Sequence, residues 1–241
     1  MPMRPFDPAD FGPPLRVPEL ACGLVVLRPY AVSDLTLVRQ AAADPFIPSI
    51  STVPQRYTDD LGRAFIERQH WRASEGDGYS FVIAEAADPA AGIGSIGLWL
   101  QEIESGRASV GYWLLEPARG RGLAAEALRG VVAFAFGELA IPRLHLFVEP
   151  WNVASARTAE AAGFRREALL QGWERIDGEQ RDAECFTLLC EGWNSARPAR
   201  NDSVLRAAAP SRRRPARPAA RLPRCSGTTT AARMSPSAST T

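Results

Sequence analysis

Gly111-Tyr-Trp-Leu-Leu-Glu-Pro-Ala-Arg-Gly-Arg-Gly-Leu-Ala-Ala-Glu-Ala-Leu-Arg-Gly-Val-Val-Ala-Phe-Ala-Phe136 passes from an apolar strand pattern through a glycine turn into a helical pattern. Leu123, Ala127, Leu128, Val131, Val132 and Ala135 recur at helical spacing, which predicts a helix from about Gly122 to 138. Gly120 and Gly122 can take backbone angles that a Cβ resists, and they let a ligand approach the main chain. The N–H groups of the turn and the positive end of the helix then face one spot, which suits an anion such as a phosphate.

Two phosphate-binding patterns compete for these residues. Gly120-x-Gly122-x-x-Ala125 has the spacing of a dinucleotide fingerprint, and Glu149 ends an apolar run at roughly the separation where an acid would meet a ribose. Against it, Glu116-Pro117-Ala118-Arg119 stands between the strand and the first glycine, and Pro117 cannot donate to a ladder. The strand patterns Tyr79–Glu85, Gly92–Leu100 and Arg107–Leu115 also follow one another with no helix between them, which predicts an antiparallel meander. A doubly wound parallel sheet would need a crossover at each step.

Read as Arg119-x-x-Gly122-x-Ala124, the turn resembles the Arg/Gln-x-x-Gly-x-Gly/Ala pyrophosphate loop of the GNAT acetyltransferase superfamily. Asn152-Val-Ala-Ser155-Ala-Arg-Thr-Ala-Glu160-Ala-Ala-Gly163-Phe164 follows the strand-like Leu144–Val148 and is similar to the Asn-x-x-Ser…Glu-x-x-Gly-Phe segment of that family. Two motifs in the right order are more specific than either alone. Leu24-Val-Val-Leu-Arg28-Pro29, Gly111-Tyr112-Trp113 and Glu126-Ala-Leu128 look like the Rim-type branch, which includes ribosomal-protein N-terminal acetyltransferases and relatives with other acceptors.

The resemblance implies an α+β fold, a GNAT-like mixed and mostly antiparallel sheet with one parallel βαβ crossover and helices on both faces. It implies acetyl-CoA as co-substrate. The pyrophosphate would lie on Arg119, Gly120, Arg121, Gly122, Leu123 and Ala124, with Asn152 also on the cofactor side. The pantetheine arm would lie between two splayed strands, against the backbone of Trp113, Leu114 and Leu115. The implied reaction is direct transfer of acetyl to a primary amine in a ternary complex, without a covalent enzyme intermediate.

Such a reaction needs the amine as free base, so a carboxylate or a water relay should take its proton. Glu102, Glu104 and Glu149 are the candidates. Many family members meet the departing thiolate with a tyrosine seven residues after the motif Asn, a position held here by Ala159. Ser155 is the local substitute, although a serine in the first turn of a helix also reads as a cap. Glu126, in the first turn of the glycine-loop helix, suits the dipole and reads as structural. The missing tyrosine leaves open a second class of function, a CoA-binding module without catalysis.

Composition narrows the rest. The 241 residues are 46% hydrophobic and 23% charged, ordinary for a globular protein, and no run approaches a membrane-spanning length. The first ten residues lack the apolar core of a secretion signal, so a cytoplasmic location is expected. Cys22, Cys185, Cys190 and Cys225 are scattered, and His70 and His145 are the only histidines, so neither a disulfide framework nor a metal site is expected. His145, inside an apolar run, reads as a strand residue. All 28 basic residues are Arg, so no lysine can serve as base or phosphate ligand.

Three segments are predicted: an irregular, proline-rich lead-in over 1–19, an acetyltransferase-like domain over 20–195, and a disordered Arg/Ala/Pro/Ser-rich tail over 196–241. The tail holds ten of the 28 Arg and one of the 27 acids, so it carries +9 and the remainder −8. It is either an inert appendage or a weak tether to RNA or a ribosome. Within the domain, Leu24–Leu27 reads as the first strand, and Ser33-Asp34 as the cap of a helix carrying Leu35, Val38 and Ala42. Asp44–Pro54 reads as a proline-broken loop, which the resemblance to the superfamily implies would border the acceptor, and Thr58 opens a helix with Leu61, Phe65 and Ile66 inward. After the glycine-loop helix come a strand at 144–148, a helix at 153–162, and a hairpin of 166–176 with 181–190 around Asp177-Gly178, with Trp193 packed last.

Overall fold

The computed structural model describes residues 5–176 and 178–190. Asp177, Trp193 and the tail from 196 onward lie outside them. The proline-rich lead-in forms one 3₁₀ turn, Pro8–Phe11, and packs onto the domain: Phe11 is buried and Leu15 N–H donates to Ala73 O at 2.8 Å.

β1 (Leu20–Cys22) and β2 (Val25–Arg28) pair as a hairpin with Leu20 opposite Leu27. Only β2 is legible in the sequence, because three residues are too few to show a period. α1 (Leu35–Ala42) buries Leu37, Val38 and Ala41. Asp34 stands at its N-terminus without capping it. Both carboxylate oxygens instead take Arg28, at 2.9 and 2.7 Å, and one also accepts Ala31 N–H at 2.7 Å.

Within the expected loop lies a short helix, α2 (Ile47–Ile50). α3 (Asp59–Glu75) starts on Thr58, whose Oγ1 accepts Leu61 N–H at 3.2 Å. Leu61 is 45% exposed, contrary to expectation, and the inward face is Gly62, Phe65, Ile66, Gln69 and Ala73. Leu35 and Tyr57 press against Gly62, so the contact stripe of the helix runs through position 62.

β3 (Gly78–Glu85), β4 (Asp88–Trp99) and β5 (Arg107–Leu114) form the antiparallel meander, with Phe81 opposite Ile96 and Gly97 opposite Gly111. α4 (Leu123–Gly137) crosses over to β6 (Arg143–Val148), which runs parallel to β5. α5 (Val153–Ala161) leads into the hairpin of β7 (Arg165–Ile176) and β8 (Glu179–Leu189). Among the described residues the sheet has eight strands in the order β1-β2-β3-β4-β5-β6-β8-β7, with one parallel pair.

Helices cover both faces. Tyr79, Phe81 and Ile83 of β3 join Leu128, Val131 and Phe134 of α4 in one core, while Val82 joins Leu37, Val38, Phe65 and Ile66 in the other. Covered on both sides, β3 reads as a continuous apolar run without alternation. Among the described residues no helix is long and apolar enough to cross a membrane.

Candidate active site

Strands β5 and β6 pair only from Arg107 opposite Arg143 to Ser109 opposite His145, although β5 continues to Leu114 and β6 to Val148. Beyond that point they splay. Val110, Gly111 and Tyr112 line one side of the resulting cleft, Leu146, Phe147 and Val148 the other, with Asn152 and Ser155 also in its wall. Trp113 and Leu114 keep β4 as neighbour, Leu115 N–H donates to Ile93 O at 2.9 Å, and no strand of the described residues pairs with their other edge.

At the end of β5 the chain makes a 3₁₀ turn, Glu116–Ala118, and then enters α4 through Gly120 (φ +71°) and Gly122 (φ +78°). A Cβ added at either glycine would meet no heavy atom within 4 Å, so it is the left-handed angle, and not crowding by the rest of the protein, that favours glycine here. Gly122 is the N-cap of α4, whose first helical bonds run from Ala125 and Glu126 N–H to Gly122 O, both at 3.1 Å, so the N–H groups of residues 121–124 precede any helical acceptor. This arrangement can receive a diphosphate.

The two guanidinium groups of the turn do not meet at that spot. Arg121 is held by Glu85 through two bonds of 2.7 Å. Arg119 donates from Nε to Leu114 O at 2.9 Å and from Nη2 to Asp44 Oδ2 at 2.5 Å. Leu123 is buried and Ala124 half-buried on the first turn of α4, which leaves the backbone as the donor surface.

At the start of α5, Asn152 Oδ1 accepts Ser155 N–H at 3.1 Å, so the motif Asn is the helix cap and Ser155 the residue it holds. Ala159 is fully buried and offers no hydroxyl. Tyr112, from β5, supplies one nearby: its hydroxyl donates to Ser155 O at 3.2 Å. Burial raises the Tyr112 pKa, so the phenol stays protonated. Sequence reading missed it because the contact spans 43 residues.

The three candidate bases separate. Glu102 pairs with Arg107 at 3.1 Å, near the end where β5 and β6 are still joined, and Glu104 lies in the 3₁₀ turn Ile103–Ser105; neither lines the cleft. His145 Nε2 faces Glu102 at 3.9 Å, and burial lowers its pKa, so it is a neutral strand residue. Glu149 does line the cleft, its Oε2 accepting Trp151 Nε1–H at 2.7 Å. Glu126, as expected, is taken up structurally, by Arg129 of the same helix.

A second cleft carboxylate, Glu174, was not among the candidates. Burial raises its pKa, and the nearby charge of Glu149 raises it further. A bulge aims it there: between Leu170 opposite Ala183 and Glu174 opposite Arg181, three β7 residues face one of β8. Gly172 takes φ +55° within the bulge, and its N–H donates to Asp182 Oδ1 at 2.8 Å. The Gly172 inside an otherwise strand-like run is the signal that could have shown it.

Residues 25–165 match the family model described as Acetyltransferase (GNAT) domain, more than half of the chain. The chain belongs to the GNAT acetyltransferase family. This GNAT domain is 31% identical over 172 residues to the Probable N-acetyltransferase YjcK of Bacillus subtilis, covering 68% of the chain and 93% of that protein. The solved structure of Mycobacterium smegmatis RimJ in complex with CoA-disulfide aligns with a TM-score of 0.65 at 25% identity, covering 75% of this chain and 90% of that one. Microcin C7 self immunity acetyltransferase MccE, solved with acetyl-CoA and AMP, aligns with a TM-score of 0.61 at 20% identity over 69% of this chain and 93% of that one. The GNAT fold thus accounts for the meander, the crossover and the splayed pair.

Proposed function

We propose that this GNAT acetyltransferase moves acetyl from acetyl-CoA to an exposed α-amine, on a protein or peptide N-terminus or a small molecule. The observation that carries the reading is one cleft between splayed strands, adjoining a backbone donor cradle and lined by two carboxylates. Acetyl-CoA, when bound, supplies an activated acetyl thioester. The N–H groups of residues 121–124 would receive its diphosphate, the unpaired edge of β5 at Trp113–Leu115 its pantetheine arm, and the Asn152 cap would hold the far wall in place.

Glu174 is the base in this reading. A carboxylate with raised proton affinity removes the ammonium proton more readily, and Glu149 beside it adds the charge that draws the ammonium form in. Ser155, with the Tyr112 phenol at its carbonyl, stands in for the absent tyrosine as donor to the departing thiolate. Holding amine and thioester together in the cleft supplies much of the remaining acceleration.

The α-amine is favoured over lysine by its pKa, about 8 against about 10.4, which leaves more of it nucleophilic near neutrality. The −8 charge of residues 1–195 attracts cationic amines at low salt. The test is CoA release with two peptides of identical sequence, one with a free N-terminus and its lysine blocked, the other the reverse. Faster turnover of the lysine-only peptide refutes the α-amine preference. Acetyl-CoA binding with no turnover of any amine in a broad panel, polyamines included, would leave a CoA-binding module.

The cradle is tested separately. Gly122→Val is expected to weaken acetyl-CoA at least about tenfold by calorimetry, because a β-branched residue resists φ +78° and its side chain would fill the ligand's space. Wild-type affinity in a folded variant would remove the cradle from residues 121–124.

A further inference from the structure

Arg119 holds the motif position that the family pattern assigns to pyrophosphate, yet its side chain is turned toward a different part of the molecule. Its Nε bonds Leu114 O at the end of β5, and its Nη2 bonds Asp44, which is 75 residues away in sequence and has only 7% of its side chain exposed. Asp44 Oδ1 in turn accepts the N–H groups of Phe46 and Ile47, at 2.9 and 3.0 Å, where α2 begins. Burial alone would raise the Asp44 pKa, but those N–H groups and Arg119 outweigh it and hold it below the usual range, so the carboxylate stays ionised.

What this pair holds is a wall of the cleft. Phe46 and Ile50 line it, and the Phe46 ring meets the Trp151 ring edge-on, 5.0 Å between centroids. Trp151 follows β6 and donates to Glu149. The chain of contacts therefore runs from the end of β5 through Arg119, Asp44 and Phe46 to Trp151 and Glu149, closing around the gap between the splayed strands.

We propose that Arg119 and Asp44 are positioning residues for the acceptor: they fasten residues 44–50 to the end of β5 and set the acceptor KM more than the affinity for acetyl-CoA. The assignment rests on the acetyltransferase reading above. A fork reaching a carbonyl and a carboxylate at once suits Arg and not Lys, whose ammonium is a single point.

The experiment uses the full chain with Arg119→Ala, Arg119→Lys and Asp44→Asn. Acetyl-CoA affinity is measured by calorimetry, and steady-state kinetics use the peptide with a free N-terminus, or spermine if that peptide is inert. The expected result is acetyl-CoA affinity within about threefold of wild type for all three, with acceptor KM raised about tenfold and kcat changed less. Arg119→Lys should not rescue KM.

A tenfold loss of acetyl-CoA affinity in Arg119→Ala, restored by Arg119→Lys at unchanged acceptor KM, makes Arg119 a phosphate ligand and overturns the proposal. Tighter acetyl-CoA binding by Asp44→Asn also overturns it, since Asp44 would then be competing with the phosphates for the guanidinium. Should no amine be acetylated, the proposed activity fails, and the calorimetry still decides whether Arg119 serves the cofactor.

Discussion

Glu174→Gln is expected to lower kcat by about 10²–10⁴-fold, the range that removal of a positioned general base produces. Gln keeps the shape and one acceptor oxygen but cannot take a proton, so the bulge and the fold should survive and acetyl-CoA affinity should stay within error. The pH profile gives the sign. Glu174 works as a base only when ionised, and its pKa is raised, first by burial and then by Glu149. Activity should therefore fall as pH drops, through a value above the ordinary glutamate range. Glu149→Gln removes the second cause and leaves burial, so it should move that acid limb to lower pH without abolishing it. Glu174→Gln should erase the limb. An unchanged kcat and acid limb in Glu174→Gln would return the base role to Glu149 or a water relay.

Asp34→Ala is expected to destabilise the domain by about 3–5 kcal/mol, read as a lower urea midpoint at unchanged slope. Asp34 has 1% of its side chain exposed and Arg28 has 13%, so removing the carboxylate leaves a guanidinium desolvated without its counter-charge. Arg28 also donates to Pro89 O and Ala90 O, at 2.7 and 3.0 Å, so the pair joins β2, the start of α1 and the beginning of β4. The double variant Arg28→Met with Asp34→Leu should recover most of the loss, because the desolvation of both charges is removed together. A loss below about 1 kcal/mol in Asp34→Ala would mean that water reaches Arg28 and the pair behaves as a surface ion pair.

The same pair marks where local rules stop. Ser33-Asp34 before Leu35, Val38 and Ala42 is a fair helix start, and the helix is there; but the aspartate is drawn to Arg28 across the turn, a stronger partner than the orphan N–H groups of α1. Leu61 lies one position off the inward stripe of α3 because that stripe was set by Leu35 and Tyr57 meeting Gly62, which the helical period alone does not contain.

By itself the sequence determined what depends on neighbouring residues. The strand–turn–helix of Gly111–Phe136 and the meander before it follow from backbone preferences and short periods, and the two motifs at Arg119–Ala124 and Asn152–Phe164 carried the resemblance to the GNAT family; that Asn152 is the cap of α5 only the structure showed. Only the tertiary structure decided which side chains share the cleft. The splay begins after Ser109 because β5 and β6 diverge, Glu174 reaches the gap because a bulge re-aims β7, Tyr112 meets Ser155 across the cleft, and Arg119 turns to Asp44. Each of these joins residues far apart in the chain, and their partners are set by how the sheet twists and packs under both helical layers. A local pattern records a residue's own backbone preference; which distant charge or ring it meets depends on the whole core being assembled.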